Sequence, residues 1–445
     1  MPKRLALFIC YAAIFLLNAL PAYSENGIKL LRDDEIENVL HDLSRPIFSA
    51  AKIKEREIEF ILLNDIQENA FVIGGKAIFI NSGLLISNIN SPEAIVGIIA
   101  HELGHLLAKH NIIKQIQLAD TSKNVMYGSI LGLAAMTAGI PEIGTFLSLG
   151  AYNSGYLTMM KYSRQHESEA DKISSNLLTK AGIGTNGLLK FLNSLRDRER
   201  QISFSPYYLT HPLSKERVAF LRNYARADNQ FYSNEFVNRY KRAIYKLIAF
   251  TTNRVTLFTA QAINNRENLD YANSIILFRQ GKLTRSIELL DRLLTIEPEN
   301  PYFLEFKGQV ELSAGKMQEA VDDFARAYSI NSQNGLIAIE YAFSLIKYAE
   351  KTQAHGKKTE LLNKAIDVLG KNLNIIEDDV ISLNLLSNAC FLNGMKGESK
   401  LYQAERLYII GANGKAKHEV NKAIELLKPG STTYIKAQDL KKLLD

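Results

Sequence analysis

Cysteine is nearly absent from this chain, with two residues in 445. Cys10 falls inside an N-terminal apolar run, so a chain processed past that run keeps Cys390 alone and can close no internal disulfide. A core of this size does not need one, even in an oxidising compartment. Dense basic runs are missing too, and a formal charge of +6 is too small an excess to indicate a nucleic-acid partner. Long apolar runs are the third absence. A membrane-spanning helix takes about 20 apolar residues, whereas residues 5–17 stop short and the small-residue stretch 125–151 is split by Pro141-Glu142.

What the N-terminus does carry is Lys3-Arg4, the apolar run, and Ala22 and Ser24 as small residues ahead of Glu25. That order predicts a secretory signal over 1–24, cleaved after Ser24 in preference to a retained anchor, and with it a periplasmic location. Cys10 lacks the Leu-x-Ala/Gly-Cys context of a lipoprotein site. Residues 125–151 read as a buried or membrane-touching helical hairpin, a peripheral membrane contact in preference to a transmembrane pair.

The length allows roughly two to four domains of about 150 residues each. Ile36, Val39, Leu40, Leu43 and Ile47 recur at helical spacing, with Pro46 interrupting only the end. Residues 58–64 and 69–83 are rich in β-formers, with Gly74-Gly75 as a tight turn and Ala77, Ile78, Phe79 and Ile80 as a strand, so a small sheet is expected. Ser91-Pro92-Glu93 supplies an N-cap, a proline at the first helical position and an early acid for the apolar helix that follows. Beyond Asn264 the texture changes to short amphipathic helices. Gly281-Lys-Leu-Thr-Arg-Ser-Ile287 and Gly315-Lys-Met-Gln-Glu-Ala-Val321 start 34 residues apart, the period of the tetratricopeptide repeat. Weaker traces at 361–369 and 414–427 make the end of the array degenerate or capping. The expected class is α+β and mostly helical: a domain with a small β-sheet over 25–255, then an α-solenoid of tetratricopeptide repeats over 264–445.

The apolar helix bears His101-Glu102-Leu103-Gly104-His105. Two imidazoles at i and i+4 share one helix face with a carboxylate between them, the zinc-hydrolase pattern. A helix apolar over most of its circumference is buried, and its buried polar groups need a partner, which a metal supplies. The best third ligand is Glu167 of Glu167-Ser168-Glu169-Ala170-Asp171, with Asp171 on the same face to hold a ligating imidazole by its ring N–H. Glu169 is expected to point away, and a solvated acidic face is the competing reading of the five residues. His166 is out of phase with Asp171 and ranks below Glu167. His110, five residues past His105, is rotated off the metal face and reads as a helix-end histidine that complements the dipole. His211 stands in Tyr207-Tyr208-Leu209-Thr210-His211-Pro212-Leu213, a loop from which a histidine can swing.

Asn69-Ala70-Phe71, Asn81-Ser82-Gly83-Leu84-Leu85, the 101–105 motif, Ser163-Arg164 with Glu167 to Asp171, and Thr210-His211-Pro212-Leu213 with Arg217 occur in this order. With them the chain resembles the gluzincin metallopeptidases of the HtpX and BepA kind, in the periplasmic branch that ends in tetratricopeptide repeats, over nearly all of its length after the signal. The resemblance implies a gluzincin-type metallopeptidase domain and one Zn2+ held by His101, His105 and Glu167. It implies Glu102 as general base and His211 as a residue that takes the fourth position and keeps the enzyme latent. Arg217 is the expected donor to the oxyanion, with Tyr207 or Tyr208 behind it. Ala77, Ile78, Phe79 and Ile80 are expected as an open sheet edge that receives an extended substrate. The implied clients are unfolded or stalled outer-membrane proteins, and the implied partner is their assembly machinery, with proteolysis and chaperoning combined. One competing reading is a non-proteolytic chaperone or scaffold with a latent zinc site; a second is an integral-membrane protease.

Overall fold

The computed structural model describes residues 30–54, 57–73, 77–110, 162–199, 207, 210–225, 231–252, 256–259, 262–373 and 380–445. The signal over 1–24, the Gly74-Gly75 turn and the 125–151 hairpin lie outside them. The class is the expected one, mostly helical with one small sheet. No described helix is long and apolar enough to cross a membrane. Two compact units divide the described residues, one ending at Ala272 and one running from Asn273 to Asp445.

In the first unit Asp33 caps α1 (Asp34–Ala51), its carboxylate accepting from the Ile36 amide at 3.0 Å. The predicted apolar stripe, Ile36, Val39, Leu40, Leu43 and Ile47, is buried. The helix runs past Pro46 to Ala51, where Lys52 closes it in the left-handed region at φ 59°. Four strands follow the order β1 (Leu30–Leu31), β2 (Glu59–Leu63), β4 (Ala77–Asn81), β3 (Ala70–Ile73) across the sheet. β4 is parallel to β2 on one side and antiparallel to β3 on the other. The expectation of an open edge at Ala77, Ile78, Phe79 and Ile80 is therefore corrected: they form an inner strand, buried throughout, and the edge is β3. Chain order hid this, because β3 precedes β4 in sequence yet lies outside it. The Asn81 amide donates to Asn69 O at 3.0 Å. From that bond, and with Phe71 opposite Phe79, antiparallel alternation turns the main-chain groups of Ala70 and Val72 away from β4.

After α2 (Ser82–Ser87), α3 (Pro92–Leu107) runs through the core with Ile95, Ile99 and Leu103 buried. Ser91 occupies the N-cap position of α3, but its hydroxyl makes no capping bond, and Pro92 starts the helix by its fixed φ. Two helices press on α3, namely α4 (Arg164–Lys180), capped by Ser163, and α5 (Asn186–Glu199). Both contacts are at backbone distance. A Cβ on Gly104 would stand 2.7 Å from Ala170 O, and one on Gly97 would stand 2.9 Å from Leu188 Cβ. The unit continues with α6 (Lys215–Arg222), α7 (Asn234–Thr251) and the first part of α8 (Arg266–Arg279). Buried charges tie α7 to the start of α1: Arg242 pairs with Glu35 at 2.7 Å and Lys246 with Asp33 at 2.8 Å, while the Tyr271 hydroxyl donates to Glu35 at 3.2 Å.

The described part of the second unit is a succession of helices: α9 (Leu283–Ile296), α10 (Pro301–Ser313), α11 (Met317–Ile330), α12 (Gly335–Lys351), α13 (His355–Asn372), α14 (Val380–Leu392), α15 (Lys396–Ile409), α16 (Asn413–Leu426) and α17 (Thr432–Leu444). The 34-residue period is a repeated helix ending. Gly281 and Gly315 sit at φ 74° and 80°, and the following amides, Lys282 and Lys316, donate back to Leu277 O and Glu311 O at 2.9 Å each. Asn300 and Asn334 cap α10 and α12 with their side-chain oxygens. The weaker sequence traces fall in α13 and α16, so the helical pattern persists after the motif fades.

Gly104→Ala should force α3 and α4 apart, at the usual overpacking cost of about 1–3 kcal/mol. The expected result is a lower Tm together with weaker zinc binding, measured by thermal unfolding and chelator competition on the same preparation.

Candidate metal centre

α3 presents His101, Glu102 and His105; α4 presents Glu167 and Asp171; the segment ahead of α6 presents His211, and α6 presents Arg217. All seven are buried. One ligand atom from each of His101, His105, Glu167 and His211 lies within 4.8 Å of the others. His101 Nε2 and His105 Nε2 are 3.1 Å apart, and each is 3.3 Å from a Glu167 carboxylate oxygen. A tetrahedral ion with bonds of about 2.0–2.1 Å sets its ligands roughly 3.3 Å apart. The His/His/Glu set therefore fits a metal ion, and its mix of imidazole and carboxylate suits zinc.

His211 adds a fourth donor, with Nδ1 3.2 Å from Glu167 Oε1 and Nε2 3.4 Å from both Glu102 Oε1 and Ala70 O. Its position is built by local bonds. The His211 amide donates to Tyr207 O at 2.8 Å, the Tyr207 amide to Glu68 O at 3.3 Å, and the Tyr207 ring stacks on the imidazole at 4.4 Å between centroids. The predicted loop histidine thus rests against the start of the β3 edge. Tyr208 lies outside the described residues.

Asp171 stands where the sequence placed it, its Oδ1 3.0 Å from His101 Nδ1. Arg217 does not stand as an oxyanion donor. Its Nε and Nη2 donate to the two oxygens of Asp171 at 2.7 and 2.9 Å, and Nη1 pairs with Glu167 at 2.6 Å and donates to Pro212 O at 3.1 Å. That fork neutralises two buried carboxylates, and the expectation that Arg217 donates to the oxyanion is corrected on this ground.

Burial raises the Glu102 pKa, against the pull of His211 and His101, and neither of its oxygens has a hydrogen-bond partner. Burial also works to raise Glu167, but His211 and Arg217 outweigh it and hold that carboxylate well below its usual range. For His101 burial opposes the charged form, yet Asp171 and Glu167 prevail and lift it to about 9. Burial keeps His105 well below its ordinary value, hence neutral. One buried carboxylate is thus left unsatisfied beside a set of pre-aimed donors, which is the chemistry of a base next to a cation site.

Sequence reasoning missed two neighbours. Tyr162 stacks on His105 at 3.7 Å between centroids, and its amide donates to Thr210 O at 2.9 Å. His110 is buried against the site instead of facing away. α3 ends at Leu107 and Lys109 adopts φ 57°, a left-handed residue that turns the chain back, so helical phase no longer applies at position 110. A lysine in that conformation leaves no signal in the sequence.

Residues 31–225 match the model of peptidase family M48. The match covers less than half of the chain. The chain is 22% identical over 311 residues to the beta-barrel assembly-enhancing protease of Escherichia coli K12, covering 68% of this chain and 63% of that protein. It therefore spans less than two thirds of that relative's length. The metalloprotease YcaL of the same organism is 31% identical over 158 residues, which cover 35% of this chain and 57% of YcaL. The mitochondrial metalloendopeptidase OMA1 of Saccharomyces cerevisiae is 30% identical over 170 residues, covering 37% of this chain and 45% of OMA1. Each of these alignments is too short to take in the whole of either partner.

Arg217→Ala leaves Glu167 and Asp171 buried without their shared cation, a loss of about 3–5 kcal/mol by analogy with broken buried pairs. Urea unfolding of the metal-free protein should register it, and Arg217→Lys should recover only part, because an ammonium cannot bond both Asp171 oxygens together.

Proposed function

We propose that the chain is a zinc-dependent endopeptidase of the cell envelope that degrades misfolded or stalled outer-membrane proteins and assists their assembly through a repeat domain at 264–445. In this reading 25–255 is the peptidase domain, His101, His105 and Glu167 hold the metal, and Glu102 is the general base. The observation that carries it is Glu102: a buried carboxylate with no hydrogen-bond partner, one residue from a ligand and beside a four-donor cluster. A structural metal site has no use for such a group. The client class rests on the resemblance of the sequence and on the name of the Escherichia coli relative.

Bound zinc would supply Lewis-acid activation of water and of the scissile carbonyl. The protein residues do the rest. Glu102, raised by burial, accepts a proton from the attacking water and passes it to the leaving nitrogen. Asp171 fixes the His101 ring through Nδ1, and Arg217 holds Asp171 and Glu167 in register. The outward main-chain groups of Ala70 and Val72 offer an extended peptide a strand to pair with, a mode that recognises backbone more than side chains. His211 lies against Ala70 O and beside the other donors, which supports reading it as a latch whose ring must leave for catalysis.

The second reading, a mainly non-proteolytic chaperone with a latent site, draws on that same His211 position. Two variants separate them on an unfolded outer-membrane protein client. Glu102→Gln should keep its zinc and lose cleavage by about 10²–10⁴-fold. His211→Ala should cleave faster than wild type. Equal cleavage by wild type and Glu102→Gln would defeat the enzymatic reading, and slower cleavage by His211→Ala would defeat the latch.

A further inference from the structure

The two histidine ligands of α3 are supported differently. His101 reaches a carboxylate directly, at Asp171. His105 reaches one through a second imidazole: its Nδ1 lies 3.0 Å from His110 Nδ1, and His110 Nε2 lies 3.2 Å from Glu169 Oε2. We infer that His110 and Glu169 form a relay that fixes the tautomer and orientation of His105, which makes His110 a positioning residue for the metal site. The inference rests on reading the cluster as a zinc centre.

Only one arrangement of protons satisfies the chain of contacts. If His105 gives Nε2 to the metal, Nδ1 carries its hydrogen and must donate. His110 Nδ1 is then the acceptor, so the His110 hydrogen sits on Nε2 and donates to Glu169. Every ring nitrogen along the line has one role, and the line ends on a carboxylate, the arrangement that raises the basicity of a metal-bound imidazole. The opposite tautomer of His110 would set two N–H groups against each other at 3.0 Å.

Three further observations agree. Lys109 is held at φ 57°, a conformation costly for a residue with a side chain, and it is the residue that swings His110 back under His105. His110 is buried at 1% exposure and stacks on His166 at 4.3 Å between centroids, so its ring plane is fixed. Glu169 is on α4 between Glu167 and Asp171, so one helix supplies a ligand and both carboxylates that orient the histidines. The sequence assigned Glu169 to the outward side, and its side chain is indeed about half exposed, with the carboxylate turned back to His110.

The test is zinc affinity of the full chain, read by competition with a chromophoric chelator, for wild type, His110→Leu, His110→Asn and Glu169→Ala. His110→Leu removes the acceptor and should weaken zinc about 10–100-fold. His110→Asn sets an amide oxygen near the place of Nδ1 without restoring the stack on His166, and should return within about threefold of wild type. Glu169→Ala, at an exposed side chain that folding does not need, should lie between them. Wild-type affinity in His110→Leu overturns the relay, as does equal loss in Leu and Asn, which would make the role one of packing. If His110→Leu does not fold, an unchanged affinity in Glu169→Ala overturns it. Failure of wild type to take zinc at this cluster would overturn the parent reading and the relay with it, which is a different outcome from wild-type binding that His110→Leu leaves intact.

Discussion

The site depends on one close approach, between α3 and α4 at Gly104 and Ala170 O. Both helices must touch at backbone distance for Glu167 to come within 3.3 Å of two imidazoles buried in the core. The α4 contacts of the cluster follow from that register. With α4 in place, Glu167 faces His101 and His105, Asp171 one turn on faces the back of His101, and Glu169 meets His110. A glycine inside a helix costs stability relative to alanine. Here it makes room for the carboxylates.

Charge balance is the second constraint. Glu102, Glu167 and Asp171 are all buried, and the only permanent cation among the described residues at the site is Arg217, already shared between Glu167 and Asp171. A doubly charged ion among the ligands would offset the remaining negative charge, whose pull is plain at His101, lifted to about 9 by Asp171 and Glu167 against burial, while burial pushes Glu102 upward. His211 brings an imidazole to the same space and links the cluster to the β3 edge through Ala70 O.

Much of this was legible from the residues. The 101–105 motif reads directly because i and i+4 place two rings on one face whatever the fold, and the 34-residue period reads because each repeat ends its helix with a glycine at positive φ. Glu167 and Asp171 followed from the same arithmetic on α4. What failed to read depended on spatial order or on turns. β4 looked like an edge because nothing in its sequence says that β3 lies outside it. Arg217 was assigned to the oxyanion because its carboxylate partners are 46 and 50 residues away in sequence. His110 was assigned by helical phase in a place where the helix had already ended at Leu107.

The central claim is that His101, His105, Glu167 and His211 surround one zinc ion in the resting protein, with Glu102 beside it. Zinc-edge anomalous diffraction from crystals of the zinc-loaded full chain measures this directly. The account predicts a single strong peak about 2.0–2.2 Å from one atom of each of the four residues. A peak bound away from Glu167, or a resting site in which His211 has no contact with the metal, would contradict it.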